Sequence, residues 1–158
     1  MHSQEIEGSW YGRWGANYVY GTSNVLCSLQ RVGIKASDKK HGTMIARAVK
    51  WLKSVQNADG GWGECLESYA NKSLMGKGVS TASQTAWGVM ALLAYCEAND
   101  PAIARGVAWL VEKQNAQGTW DEQEFTGTGF PNHFYLRYHL YRHFFPMMAL
   151  GRFVTENE

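Results

Sequence analysis

The chain carries almost no net charge: 15 Lys and Arg against 14 Asp and Glu leave +1 over 158 residues. A nucleic-acid-binding surface shows itself as a basic excess, so that class of partner is excluded. Cysteine is scarce and scattered. Cys27, Cys65 and Cys96 are odd in number and none sits in a Cys-x-x-Cys pair, which argues for reduced thiols in a cytoplasmic protein. No apolar run is long enough to span a bilayer, and Met1 opens onto His2-Ser3-Gln4-Glu5, which is not a leader. A membrane contact, if there is one, is made at the surface. No stretch shows the alternation of a half-buried strand. Metal-ligand patterns are absent too: His133, His139 and His143 are expected on one helix, but the His139/His143 pair has no carboxylate in a known arrangement. Cys65, beside Glu64 and Glu67, has no activating base, and Asp121, Glu122 and Glu124 read as a solvated turn.

Apolar and aromatic residues are plentiful. They make up 45% and 13% of the chain, with seven tryptophans, enough to bury a core in one domain spanning residues 1–158. A repeat organises them. Gln4-x-x-x-Gly8-x-Trp10 recurs as Gln56-x-x-x-Gly60-x-Trp62 and as Gln114-x-x-x-Gly118-x-Trp120, and Trp51-Leu52 and Trp109-Leu110 precede the second and third copies at one fixed distance. The glycines supply turn geometry that residues with a Cβ resist. The glutamine amide has donors and an acceptor to tie one helix end to the start of a neighbour. The tryptophan stacks over that amide and keeps water off it. The motif therefore reads as a structural staple.

Helices are expected between the copies. The first spans about 24–31, capped by Asn24 or Ser23 and ended by Gly33. The second, about 42–56, carries Met44, Ile45, Ala48, Trp51, Leu52 and Val55 at a period of 3.6. The third, about 80–98, is apolar all round through Trp87–Ala94 and belongs in a core. The fourth opens on Asp100-Pro101, a cap followed by proline at the first helical position. Amphipathic helices alternate with buried ones, as two concentric layers of helical hairpins require, so the expected fold is all-α.

Residues 126–141 stand apart. A Gly-rich turn leads into Phe130, Phe134, Tyr138 and Tyr141, which on a helix after Pro131 put four rings on one face. Such a face packs a core, or it lines a cavity whose walls offer π-electron density to a cation. A second proline, Pro146, is expected to kink or restart the chain.

The repeat resembles the QW motif of triterpene cyclases. Residues 8–22, reading Gly-Ser-Trp-Tyr-Gly-Arg-Trp-Gly-Ala-Asn-Tyr-Val-Tyr-Gly-Thr, look like the block that opens the C-terminal quarter of bacterial squalene–hopene cyclases. Residues 126–141 look like a signature near the C-terminus of that family, and Gly76-Lys77-Gly78 with residues 80–87 is a third match. The resemblance implies a partial (α/α) barrel and a monotopic enzyme on the cytoplasmic face of the bacterial inner membrane, using no cofactor and no metal. It implies that squalene, or a related polyprenoid, is cyclised to hopene or hopanol. By position it implies that Trp14, Tyr20, Phe130, Phe134, Leu136, Tyr138 and Tyr141 line the cavity. Gln4, Trp10, Gln56, Trp62, Gln114 and Trp120 are its QW residues.

The chain departs from the family in one respect. The family's acid is the middle residue of Asp-x-Asp-Asp, whereas Asp38, Asp59, Asp100 and Asp121 are all isolated. The acid and the membrane-inserted helix are therefore expected upstream, on the rest of the cyclase chain. The chain alone is expected to be inactive, and sticky through its Trp87–Ala94 run. An inactive relic or a scaffold domain is the non-enzymatic alternative. A protein prenyltransferase β-like reading shares the helical barrel but needs zinc ligands, and Asp59, Cys65 and His133 are not at recognisable spacing.

Overall fold

A computed structural model describes residues 3–157; Met1 and His2, the first two residues of the leader reading, lie outside them, as does Glu158. Among the described residues five α-helices run in the order α1 (Tyr18–Arg31), α2 (Gly42–Ser54), α3 (Ala82–Leu93), α4 (Pro101–Glu112) and α5 (Tyr141–Thr155). Two short strands, β1 (Gly127–Phe130) and β2 (Phe134–Leu136), sit between α4 and α5.

The layering follows from the sequence. Every residue of α3 is buried, and α3 packs most extensively on α5, then on α1 and α4. α2 and α4 bury one stripe each, Ile45, Ala48, Trp51 and Leu52 in one and Ala102, Ile103, Gly106, Trp109 and Leu110 in the other. These are helical hairpins in two layers, with α3 inner and α2 and α4 outer, the arrangement of a helical toroid. The Trp87–Ala94 run is consequently not exposed: α1, α4 and α5 pack on α3, and Trp87, 1% accessible, lies against Tyr20 of α1 and Tyr141 and Phe145 of α5. The exposed apolar side chains include instead Phe130, Phe134, Leu140, Phe144, Met147 and Met148.

Two helices start or stop where local signals place them. Asp100 caps α4, its carboxylate accepting from Ala102 N at 3.0 Å. Thr81 caps α3 by accepting from Gln84 N, so α3 is shorter at both ends than 80–98. α1 begins six residues before Asn24. Asn17, at its N-cap, makes no side-chain cap bond. The orphan N–H groups are met from far away: Glu64 Oε2 accepts from Asn17 N at 3.3 Å and from Val19 N at 2.9 Å. Neither Asn24 nor Ser23 caps anything.

The aromatic helix expected over 126–141 is instead an antiparallel hairpin. Phe130-Pro131-Asn132-His133 is a β-turn: His133 N donates to Phe130 O at 3.0 Å, and Asn132 has φ 66°. Proline at the second turn position and asparagine at positive φ in the third are what a type II turn demands. The register pairs Gly127 with Leu136, Thr128 with Tyr135 and Phe130 with Phe134. Four rings therefore do not share a helix face, and His133 lies in the turn rather than on a helix with His143. α5 starts only at Tyr141 and continues through Pro146, whose ring is buried, so the helix does not restart there.

Candidate functional site

The rings gather around the hairpin in two connected groups. The backbone of Trp14–Ala16 is zipped onto β1, with Thr128 N donating to Trp14 O at 2.9 Å and Ala16 N to Thr126 O at 3.0 Å. This brings Trp14 beside the hairpin tip. The Arg13 guanidinium lies 5.0 Å from the Trp14 ring and 5.7 Å from that of Phe130. Phe130 and Phe134, as cross-strand partners, hold their centroids 5.6 Å apart. They are neighbours for a strand reason, not through helical spacing.

The second group centres on Trp87 of α3. Tyr20 meets it edge-on at 4.9 Å, Phe145 at 5.2 Å and Tyr141 at 5.9 Å. Tyr138 lies tilted on Tyr141 at 4.7 Å. The hairpin joins the groups, because a Cβ on Gly127 would fall 2.4 Å from the Tyr138 ring, so only glycine lets that ring rest against β1. Tyr138, Leu140, Tyr141 and Phe144, with Arg137 and His139, line an open cleft of about 390 Å³. Trp14, Phe130, Phe134 and Tyr138 are exposed, while Tyr20, Leu136 and Tyr141 are half-buried.

Tyr69 and Phe145, which the sequence did not single out, and the core residue Trp87 hold these rings in place. The Tyr69 hydroxyl lies 3.1 Å from Gly12 O and 3.0 Å from Gly15 O, fixing the loop that carries Trp14, and burial pushes its pKa up. Trp87 and Phe145 back Tyr20 and Tyr141.

Glu122 is not part of a solvated turn. It is 6% accessible and accepts from Ser83 N at 2.8 Å, Ser83 Oγ at 3.0 Å and Thr126 Oγ1 at 3.0 Å, capping α3. Asp121 and Glu124 are exposed as expected. Glu64 and Glu122 each stand two residues after a repeat tryptophan and cap a helix, α1 and α3 respectively, a regularity that a comparison of the copies reveals once the helix starts are known. Burial pushes both carboxyls above the usual carboxylate range, against the downward pull of the backbone and hydroxyl hydrogen bonds they accept. Burial likewise pushes the Cys27, Cys65 and Cys96 thiols up, which keeps them protonated and poor nucleophiles.

A carboxyl whose folded pKa is raised holds its proton more tightly when folded. The stability it gives is present below the ordinary carboxylate pKa and is lost as pH rises through the raised value. Glu64→Gln, which keeps an acceptor for Val19 N but cannot ionise, is therefore expected to match the parent at acid pH and to exceed it once the parent carboxyl ionises. A gap of about 1 kcal/mol, or ~2–4 °C in Tm, is the expected scale. Thermal melts from pH 4 to 9 measure it, and parallel curves for the two proteins would refute it.

The repeat turns share one frame. Gln4, Gln56 and Gln114 Nε2 each donate at 2.8 Å to the carbonyl of the glycine four residues on, Gly8, Gly60 and Gly118. Trp62 Nε1 donates to Leu52 O at 2.9 Å and Trp120 Nε1 to Leu110 O at 2.7 Å. Asp59, a member of the rejected zinc set, accepts from Ser80 Oγ at 2.8 Å and Trp109 Nε1 at 3.0 Å. Among the described residues no three His, Cys, Asp or Glu side chains are grouped to hold a metal ion. No helix among them is long and apolar enough to cross a membrane.

Comparison with known proteins places this arrangement. The chain is 54% identical over 155 residues to a squalene–hopene cyclase of Bradyrhizobium diazoefficiens, an alignment covering 96% of the chain and 22% of that protein. It is 51% identical over 150 residues to the squalene–hopene cyclase of Alicyclobacillus acidocaldarius, covering 95% and 23%. It is 46% identical over 166 residues to the dammaradiene synthase of Dryopteris crassirhizoma, covering 96% and 24%. The chain thus spans less than a quarter of the length of these relatives. The model of the squalene–hopene cyclase C-terminal domain matches residues 1–155, and the chain belongs to the squalene–hopene cyclase family.

Proposed function

We propose that residues 1–158 form one part of a helical barrel and supply the aromatic wall of a cavity in which squalene, or a related polyprenoid, is cyclised to a hopene-type triterpene. The observation that carries this reading is the ring array itself. Trp14, Phe130, Phe134 and Tyr138 present their rings outward around one hairpin, with Tyr20, Leu136 and Tyr141 behind them. Cyclisation begins when a strong acid protonates an alkene, and positive charge then migrates along an apolar chain. The wall has to favour that charge without quenching it, which excludes water and lone pairs. Ring faces do so, at about 2 kcal/mol or more each when desolvated. Arg13, poised over Trp14 and Phe130, supports the point: these two faces already hold a cation.

The acid is assigned to an Asp-x-Asp-Asp segment on the rest of the longer polypeptide, since Asp38, Asp59, Asp100 and Asp121 stand alone. That polypeptide, rather than this chain, makes the contact with the inner membrane surface, as a peripheral enzyme without metal or cofactor. The six glutamines and tryptophans of the repeat brace the barrel and take no part in the chemistry.

The test is a graft. This chain replaces the matching C-terminal region of the Bradyrhizobium relative, and the whole polypeptide is assayed with squalene beside the isolated chain. The graft is expected to give cyclised triterpene and the isolated chain none. Product from the isolated chain would overturn the assignment of the acid. A well-folded graft with no product would overturn the assignment of the wall.

A further inference from the structure

The outer helices α2 and α4 each carry a tryptophan five residues before a repeat glutamine, Trp51 and Trp109, but only one of the two indoles finds an acceptor. Trp109 Nε1 donates to Asp59 Oδ2 at 3.0 Å, and Asp59 stands three residues after Gln56. There the carboxylate also accepts from Ser80 Oγ at 2.8 Å and Gly61 N at 3.0 Å, so the space beside that indole is filled by the chain itself. The counterpart of Asp59 for Trp51 is Glu7, three residues after Gln4. Glu7 is exposed and makes no such bond, and among the described residues no acceptor meets Trp51 Nε1. A cleft of about 540 Å³ opens between the two instead, with both in its lining. Trp51 is 5% accessible, which makes it a donor-bearing ring built into the wall of that cleft, and a buried indole N–H ordinarily has a partner.

The charge around the cleft selects the partner. Arg47, Lys50, Lys72 and Lys77 line it, against the one carboxylate of Glu7. Two of the four cations are engaged: Arg47 donates to Glu5 O at 2.7 Å, and Lys72 pairs with Glu5 Oε2 at 2.7 Å. Lys50 and Lys77 have no carboxylate partner among the described residues. We infer that this cleft is a binding site for a phosphate group, held by the ammonium groups of Lys50 and Lys77 and by the indole N–H of Trp51, in the place that Asp59 fills beside Trp109. A phosphate with two negative charges answers two lysines where a carboxylate answers one, and its several oxygens accept from the indole at the same time. Glu7 opposes any anion, so a singly charged ligand gains little there, while a doubly charged one outweighs it. Inorganic diphosphate and a lipid with a phosphomonoester headgroup present the same chemistry to these three groups. The lining shares no residue with the aromatic wall, so the site stands apart from the proposed cyclisation.

Calorimetric titration decides it, on the graft into the Bradyrhizobium relative and on the isolated chain. One probe is inorganic diphosphate; the other is phosphatidylcholine vesicles with and without phosphatidic acid. Binding is expected to weaken as salt rises. Replacing both lysines, Lys50→Gln with Lys77→Gln, is expected to raise Kd at least about tenfold, the scale for losing bonds to a charged partner. Both side chains are exposed, so the fold is not at stake. Trp51→Phe keeps a ring and removes the donor, and is expected to raise Kd about tenfold, with Tm read alongside. Glu7→Gln is expected to lower Kd about twofold to fivefold. Diphosphate binding of this kind assigns a free phosphate, and binding of the phosphatidic acid vesicles alone assigns a lipid headgroup. Failure of both probes to bind overturns the site. So does binding that the double lysine variant or Trp51→Phe leaves unchanged, and so does binding by the isolated chain that the graft lacks. A folded graft that binds the probe and makes no product keeps the site and removes only the proposed chemistry.

Discussion

Replacing Trp62 with alanine is expected to lower the unfolding free energy by about 3–5 kcal/mol, the range for deleting a large buried ring. Trp62 is wholly buried, and three helices meet on it. Its indole N–H donates to Leu52 O near the end of α2. A Cβ on Gly88 of α3 would lie 2.6 Å from Trp62 Cδ2, and one on Gly106 of α4 2.7 Å from Cζ3, so both glycines make room for this ring. Removing it leaves a cavity between two glycine faces that have no side chains to collapse into it, and it strands the Leu52 carbonyl. A loss of this size is worth about 10 °C or more in Tm for a chain this long. Gly106→Ala, which forces a methyl onto the ring and onto Val89, is expected to cost about 1–3 kcal/mol by overpacking. Chemical denaturation of the two variants against Trp14→Ala, whose ring is 52% accessible, gives the comparison. A Trp62→Ala loss under 1 kcal/mol would mean that the three helices do not depend on that ring.

In the graft, Phe130→Leu is expected to lower kcat for squalene cyclisation about thirtyfold. The figure follows from removing ~2 kcal/mol of desolvated cation–π stabilisation. Leucine keeps the apolar bulk and excludes water as phenylalanine does, so what is lost is the π face. Folding is not at stake, because Phe130 is 55% accessible in this chain and, among the described residues, packs its ring on that of Phe134, beneath Arg13. Phe130→Tyr restores a ring and is expected to recover most of the rate. Turnover, product profile and Tm are read together. Unchanged turnover in the leucine variant would place the migrating charge away from this ring, whereas equal losses for leucine and tyrosine would point to shape rather than π density.

The outer layer was legible in the sequence because its signals are local. α2 and α4 show a 3.6-residue stripe, and α4 has its cap and first-turn proline side by side. The repeat was legible because each glutamine acts on a glycine four residues away. What stayed hidden acts at a distance. The start of α1 is capped by Glu64, some 45 residues on, and its first turns contain Gly21, Thr22 and Ser23, poor helix formers that gave no reason to begin a helix before Asn24. Glu122 looked like one of three charges in a polar turn, and only the position of Ser83 makes it a cap. The hairpin was readable in principle from Pro131-Asn132, the turn pair that fixes a type II geometry, but the i, i+4 spacing of Phe130 and Phe134 imitates a helix. The same two rings are neighbours in either conformation. The grouping of Phe130 with Phe134 is therefore the same under either reading, while the backbone that carries them did not follow from periodicity.

The burial of α3 sets a timetable for making the protein. This helix, apolar on every side, packs most extensively on α5, and α5 begins at Tyr141, 48 residues after α3 ends at Leu93. At about 5–20 residues per second, several seconds of synthesis separate the emergence of the two helices. During that interval Trp87, Val89, Leu92 and Leu93 have α1 and α2, and then α4, but not α5 to shelter them, so the nascent chain presents an adhesive segment before its main cover exists. Slowing translation between codons 94 and 155 lengthens that exposure, which makes soluble yield a reporter of the wait and gives a holdase chaperone its moment to act.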